Sequence, residues 1–298
     1  MTASPWLWAV FTLIAAAAQT VRNATQRELT GQLGTVGATH VRFLFGLPFA
    51  CLFLIGVIAV AGAPLPKPGL VFWPWVLTGA LLQIAATALM LAAMGERSFV
   101  VAIAYIKTEP IQVALFGFVF LGDHVTPSMA LAILLATSGV VVMSLKPGAI
   151  RGDVVPTVLG LSAGACFALS AIGYRGAILS LHDPNFVMAA TFTVTVGLAI
   201  QTALLTLYLL LRQRDVLRAI FKAWRPSLFA GFMGALASQF WFLGCATATA
   251  ASVRTLAVVE VLFAQAISRF VFKQPVSARE GAGIVLIVVG VALLVWAY

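Results

Sequence analysis

Charge is what this sequence has least of. Asp, Glu, Lys and Arg make up 9% of its 298 residues, against 62% hydrophobic residues. A soluble domain averages roughly 25% charged residues. A soluble fold of this length has too little polar surface here to cover its exterior. Lipid accepts an apolar exterior, provided that each span satisfies its own backbone, which points to helices. A β-barrel needs short segments of alternating polarity, and the apolar runs here are long and unbroken.

Other scarcities exclude chemistry. Acidic residues number nine against 18 basic ones, for a net charge of +9. The basic residues sit between apolar runs, as loops at an anionic leaflet do, and no basic-aromatic patch marks a nucleic-acid surface. The three cysteines, Cys51, Cys166 and Cys245, fall inside apolar runs. An odd number in spans makes no disulfide framework or metal site, so they read as small packing residues. His124 and His182 are loop residues without metal partners. HExxH and Walker A patterns are missing, as is a GxSxG elbow. The chain reads as no enzyme, with no cofactor and no bound metal. Without an ATP site, any active transport must be secondary.

What is present is a series of spans. Ten stretches reach the length a span needs, about 20 mostly apolar residues. They are Pro5–Thr25, Thr39–Gly62, Leu70–Met94, Arg97–Leu121, Pro127–Lys146, Val154–Arg175, Asn185–Leu211, Pro226–Ala246, Thr249–Phe272 and Ala278–Ala297. Proline-rich breaks, such as Pro64 to Gly69, separate them. The first stretch, with Ala16-Ala17-Ala18, imitates a signal peptide but lacks a basic start, so it is read as a span. Arg212 to Arg225 sets Val216, Leu217, Ile220, Phe221 and Trp224 against five basic residues. That pattern predicts a short helix on the membrane surface.

A shift of 151 positions aligns the two halves without a gap. Pro5 meets Pro156, Trp73 meets Trp224, Glu109 meets Glu260, and Gly139 meets Gly290. The predicted fold is therefore all-α, with residues 1–147 and 152–298 as two five-helix repeats around a central cavity. Five is odd, so the second repeat must run inverted. Inverted repeats let a central site open to either side in turn, which points to a transporter. Positive charge concentrates in the loops after the odd-numbered spans, Arg22, Arg27 and the Arg212–Arg225 cluster among them. Those loops are predicted to be cytoplasmic and both termini extracytoplasmic.

Glu109 and Glu260 are the most informative residues. A carboxylate at mid-bilayer is costly unless it faces protein, water or a cation. Each either works in transport, with protons as a coupling ion, or belongs to a buried salt bridge that fixes packing. Tyr105, Glu109 and Gln112 follow i, i+4, i+7 spacing and share a face in a continuous helix, with Lys107 roughly opposite. Lys107 and Arg254 are the cations of the equivalent spans, poised to pair with the carboxylates; the alternative for Arg254 is to snorkel. Gln19, Gln83 and Gln239, with Trp241 and Tyr174, are candidates for an apolar cavity with a few amides, or else interhelical hydrogen bonds. Gly160 and Gly164 form a GxxxG that predicts close helix packing. His40 and Arg42 start the second span and read as headgroup contacts.

Two local motifs carry a resemblance. Phe120-Leu121-Gly122-Asp123-His124-Val125-Thr126-Pro127 is similar to the "LGE-x-x-T-P" turn of the drug/metabolite transporter superfamily, with Asp123 where Glu is usual. Glu109-Pro110 is similar to the mid-span proline of such exporters. Together with the two five-span repeats, these features resemble the ten-span EamA-type members, which include amino-acid exporters. The Trp-Ser/Thr pair common in the family's first span is replaced by Ala18-Gln19-Thr20. Family members usually keep both termini cytoplasmic, the reverse of the charge count. The resemblance implies a cavity lined by spans one, three, four, six, eight and nine, with five and ten outside it. It implies export of a small metabolite, an amino acid or similar zwitterion, across a bacterial inner membrane. Broad drug efflux and a non-transporting lipid-handling protein are the alternatives.

Overall fold

The computed structural model describes residues 6–62, 64–96, 106–144, 154–270 and 277–297. Among them there is no strand. The helices are α1 (Leu7–Leu44), α2 (Gly46–Ala61), α3 (Phe72–Glu96), α4 (Glu109–Leu121), α5 (Pro127–Ser144) and α6 (Val154–Ser180). They continue as α7 (Phe186–Arg212), α8 (Arg214–Lys222), α9 (Trp224–Thr247), α10 (Ala250–Leu256), α11 (Glu260–Phe270) and α12 (Ala278–Ala297). Among the described residues, six helical segments are long and apolar enough to cross a membrane, with Leu7–Ala61 as one of them, and the apolar helices Glu109–Leu121 and Pro127–Met143 are shorter. Large apolar side chains such as Leu52, Leu115, Phe118, Leu207 and Val288 are exposed on the outside. In a multi-pass membrane protein that surface faces lipid.

The 55 residues from Leu7 to Ala61 would rise about 80 Å as one straight rod. That is more than twice a hydrocarbon core of ~30 Å. Gly34 breaks the rod at φ 68°, ψ 174°, a conformation open essentially only to glycine. The chain folds back there, and Gln26 Nε2 donates to the Ala38 carbonyl at 2.8 Å. The sequence predicted a loop between Thr25 and Thr39. The chain is helical through most of that stretch because the turn needs only one glycine.

The 151-residue offset maps α3 onto α9, α4 onto α11, α5 onto α12, α6 onto the first part of α1, and α7 onto Thr35–Ala61. Packing follows the same rule. The most extensive helix pairs are α3 with α6, α1 with α9, and α5 with α12. The offset turns the first pair into the second and the third into itself. α2 against α7 also maps onto itself. Gly139 and Gly290 let α5 and α12 meet backbone to backbone. A Cβ on Gly290 would lie 2.6 Å from Ala136 N and 2.9 Å from the Ala132 carbonyl. Gly290→Leu is therefore expected to destabilise the protein by about 1–3 kcal/mol or more, read as a lowered midpoint of thermal unfolding. Val289→Leu, on the exposed neighbouring position, is the control.

α8 is the amphipathic helix that the sequence predicted. Ile220 is buried and Val216 half-buried against α1, where a Cβ on Gly37 would lie 2.8 Å from Val216 Cγ1. Phe221 and Trp224 stay exposed, as do Arg212, Arg214, Arg218, Lys222 and Arg225. Exposed aromatics beside exposed cations suit the headgroup level.

Candidate functional site

A central cavity lies between the two sequence halves. It holds about 690 Å³ of empty space, its open mouth included. Its walls come from α1 (Gln19, Arg22, Asn23, Arg42), α3 (Gln83, Met90), the segment entering α4 (Ile106, Lys107, Glu109), α6 (Phe167, Ala171, Tyr174), α9 (Ser238, Trp241, Phe242, Cys245) and α10–α11 (Arg254, Glu260). Among the described residues, α5 and α12 contribute nothing to it.

Both helices that carry the carboxylates are interrupted at equivalent points. Lys107 and Thr108 form a turn, and α4 starts at Glu109 with Pro110 in its first turn. At the equivalent place Ala257–Val259 form a 3-10 turn, and α11 starts at Glu260. Each carboxylate thus sits in the first turn of the helical segment that follows the irregular turn. The break corrects the helical-wheel expectation for this segment. With the helix interrupted at Lys107–Thr108, Lys107 turns toward the same cavity as Glu109 and not to the opposite face. Tyr105 lies outside the described residues.

The charges pair across the two halves. Lys107 Nζ, from the first, forms an ion pair with Glu260 Oε1, from the second. Arg254 Nε, from the second, lies 3.2 Å from Glu109 Oε1, from the first. Each carboxylate is 8% exposed in its side chain. Gln19 Nε2 donates to Glu260 Oε2 at 3.2 Å, and Trp241 Nε1 donates to Gln19 Oε1 at 3.0 Å. The Arg254 guanidinium stacks over the Trp241 ring at 4.7 Å, so Arg254 points inward and does not snorkel. Glu109, Glu260, Lys107, Arg254, Gln19 and Trp241 form one connected cluster.

Gln83 and Tyr174 form a second. Gln201 Nε2 donates to Gln83 Oε1 at 2.9 Å, and the Tyr174 hydroxyl lies 3.3 Å from the same oxygen. Gln201, on α7, was not singled out from the sequence, since one amide in an apolar helix gives no signal of its own. Two candidates lie elsewhere. Gln239 donates to Thr191 Oγ1 at 2.7 Å, which ties α9 to α7, and Gln112 Nε2 lies 3.5 Å from Thr108 Oγ1.

Three basic residues are placed differently from the sequence expectation. Arg22 was counted with a cytoplasmic loop, but it is 1% exposed and lines the cavity. Arg42 was expected at headgroups, but it is 2% exposed and lines the cavity too. His40 is fully buried, with its Nε2 3.1 Å from Thr206 Oγ1 on α7. The helix runs past Thr25 and turns back only at Gly34, which carries all three positions into the protein.

Arg175 holds three groups together beside the cavity-lining Cys245. Arg175 Nη1 donates to the Cys245 carbonyl at 2.7 Å and to the Ala248 carbonyl. Its Nη2 lies 3.4 Å from Asp123 Oδ1. One guanidinium thereby closes the carbonyl end of α9 and joins it to the turn after α4, a favourable place for a cation.

Comparison with known proteins places this architecture. The model of the EamA-like transporter family matches residues 6–145 and 156–296. The chain belongs to that family. It is thus a multi-pass membrane protein of a small-molecule transporter family, with the family unit present twice. A chain described as "Crystal structure of protein" is 15% identical, covers 96% of this chain and 94% of its own length, and superposes with a TM-score of 0.72. That likeness concerns the fold. No curated protein matches the sequence. Among the described residues of this EamA-like chain, no cluster of His, Cys, Asp and Glu is arranged to hold a metal ion.

Proposed function

We propose that this chain is a secondary active transporter that moves a small metabolite by alternating access. The ten spans form two inverted repeats, residues 1–147 and 152–298, that rock against each other around the cavity. The observation that carries this reading is the crossed pairing, Lys107 with Glu260 and Arg254 with Glu109, at interrupted helices in the cavity wall. Interrupted helices at a central site are how transporters expose backbone and charge to a ligand. Any movement of one half against the other must loosen these pairs. Burial favours a neutral carboxyl and a neighbouring cation favours a charged one. A carboxylate freed from its cation can take up a proton or a substrate ammonium, which couples movement to loading. Glu109, Glu260, Lys107 and Arg254 are the coupling residues in this reading. Gln19, Gln83, Trp241 and Tyr174 form the polar and aromatic wall, and Tyr105, Gln112 and Gln239 are further candidates for substrate contact.

The test is counterflow in proteoliposomes containing only this protein, loaded with a metabolite mixture and scored by mass spectrometry. Exchange of one compound class supports a metabolite carrier, and exchange of many unrelated compounds supports drug efflux. No exchange of any compound sinks the transport reading.

The membrane is proposed to be a bacterial inner membrane, with the α8 face cytoplasmic, both termini outside, and transport outward. All five basic residues around α8 are exposed, which the positive-inside rule assigns to the cytoplasm. A cysteine at Arg218 is expected to resist an impermeant thiol reagent in intact cells, and one at Lys67 to react. The opposite pattern would reverse the orientation.

A further inference from the structure

Four cationic side chains line the cavity, Arg22, Arg42, Lys107 and Arg254, against two carboxylates, Glu109 and Glu260. The carboxylates are taken by Lys107 and Arg254. Arg22 and Arg42 remain, and among the described residues neither has a carboxylate at ion-pairing distance; Glu260 acts on Arg22 only from farther off. Arg22 Nη2 donates to Asn23 Oδ1 at 2.6 Å, while its Nε and Nη1 have no partner. Arg42 reaches Thr87 Oγ1 at 3.3 Å and Ser238 Oγ at 3.5 Å, both neutral hydroxyls, and its Nε has no partner. A buried guanidinium without a counter-charge is expensive. Two of them beside one cavity call for an anion.

The two are close together. A Cβ on Gly234 would lie 3.1 Å from Arg42 Cγ and 3.3 Å from Arg22 Cδ, so both stems cross the same glycine of α9. The fold itself does not require the pair. The 151-residue offset puts Gly173 at the place of Arg22, Thr193 at that of Arg42, and Gln83 at that of Gly234. The equivalent positions of the other half therefore belong to the neutral Gln83–Tyr174–Gln201 neighbourhood.

We infer that the substrate is a small organic anion whose acid group, carboxylate or phosphate, docks between Arg22 and Arg42. The inference rests on the reading of this cavity as the substrate site. Guanidinium forks match the paired oxygens of both acid groups. Met90, Phe167 and Phe242 offer apolar wall to the rest of the molecule.

The experiment is ligand binding to the purified full-length protein at constant ionic strength, read by thermal shift and by tryptophan fluorescence. The probes are benzoate and phenyl phosphate, with benzamide and benzylamine as shape-matched neutral and cationic controls. At least one anion is expected to bind about tenfold or more tightly than benzamide, and benzylamine not at all. Preference between the two anions tells carboxylate from phosphate. Arg42→Gln and Arg22→Gln, checked for a single monodisperse species, are expected to lose that advantage. Arg42→Lys keeps the charge and is expected to retain part of it. Benzamide or benzylamine binding as well as the anions would overturn the inference, and so would binding by none of the four. Unchanged anion preference in both Gln variants would overturn it as well. Selective anion binding without counterflow would sink transport and leave the anion site standing. Counterflow of neutral or cationic compounds alone would do the reverse.

Discussion

Glu260→Gln is expected to abolish transport and to lower thermal stability, and a second substitution is expected to separate these effects. Glu260 accepts from two groups, Lys107 across the halves and Gln19. Glutamine keeps the shape but leaves the Lys107 ammonium, 6% exposed, without its counter-charge. Breaking a buried ion pair from one side costs up to about 3–5 kcal/mol, most of it from the stranded charge. The double variant Lys107→Gln with Glu260→Gln removes the stranded charge, so its unfolding midpoint should return toward that of the parent. Its transport should stay lost, because the carboxyl at position 260 is gone and Glu109 alone, still paired with Arg254, does not replace it. Glu109→Gln should also lose transport, with a smaller loss of stability, since Arg254 keeps the Trp241 ring as a partner. Counterflow with and without a pH gradient, beside unfolding curves, makes the distinction. A double variant that recovers transport along with stability would reduce the pair to a packing device.

Arg175→Ala is expected to loosen the contact between the end of α9 and the turn after α4, beside Cys245 of the cavity wall. One guanidinium there holds the Cys245 carbonyl, the Ala248 carbonyl and Asp123. Its removal frees two carbonyls and leaves Asp123 without its cation, so water becomes their best partner. Every 1.4 kcal/mol lost from this contact is about a tenfold change in the population in which it is broken. Cys245 is a native reporter, a free thiol that lies 6% exposed beside this contact and lines the cavity. With Cys51 and Cys166 changed to serine, its reaction with a thiol reagent applied from the Asp123 end should accelerate about tenfold or more in Arg175→Ala. Arg175→Lys cannot span all three acceptors and should fall between. An unchanged rate would show that other contacts hold this region together.

The two carboxylates were legible in the sequence for a physical reason. Charge inside an apolar run is rare because it is expensive, so its recurrence at the same place in both halves is a signal without any structure. Which cation each would meet was not legible. Partner choice depends on how two halves lie against each other, and the 151-residue offset relates them without placing them. A proline after Glu109 hints at a break in the first half. The equivalent 3-10 turn at Ala257–Val259 has no local marker. Hence helical spacing put Lys107 on the wrong face.

Apolar length and the 151-residue offset belong to the sequence alone. They follow from the cost of placing backbone and charge in lipid, which every residue of a span meets equally. The fate of Arg22 and Arg42 belonged to the tertiary structure. Near the end of an apolar run, an arginine beside headgroups and one turned into a cavity have the same neighbours in sequence. Gly34 decides between them by adopting φ 68° and letting the helix continue beyond Thr25. Gly234 on α9 then leaves room for both stems. The charge of the cavity, and with it the kind of molecule it can hold, is set by contacts between residues nearly two hundred positions apart, which no local pattern records.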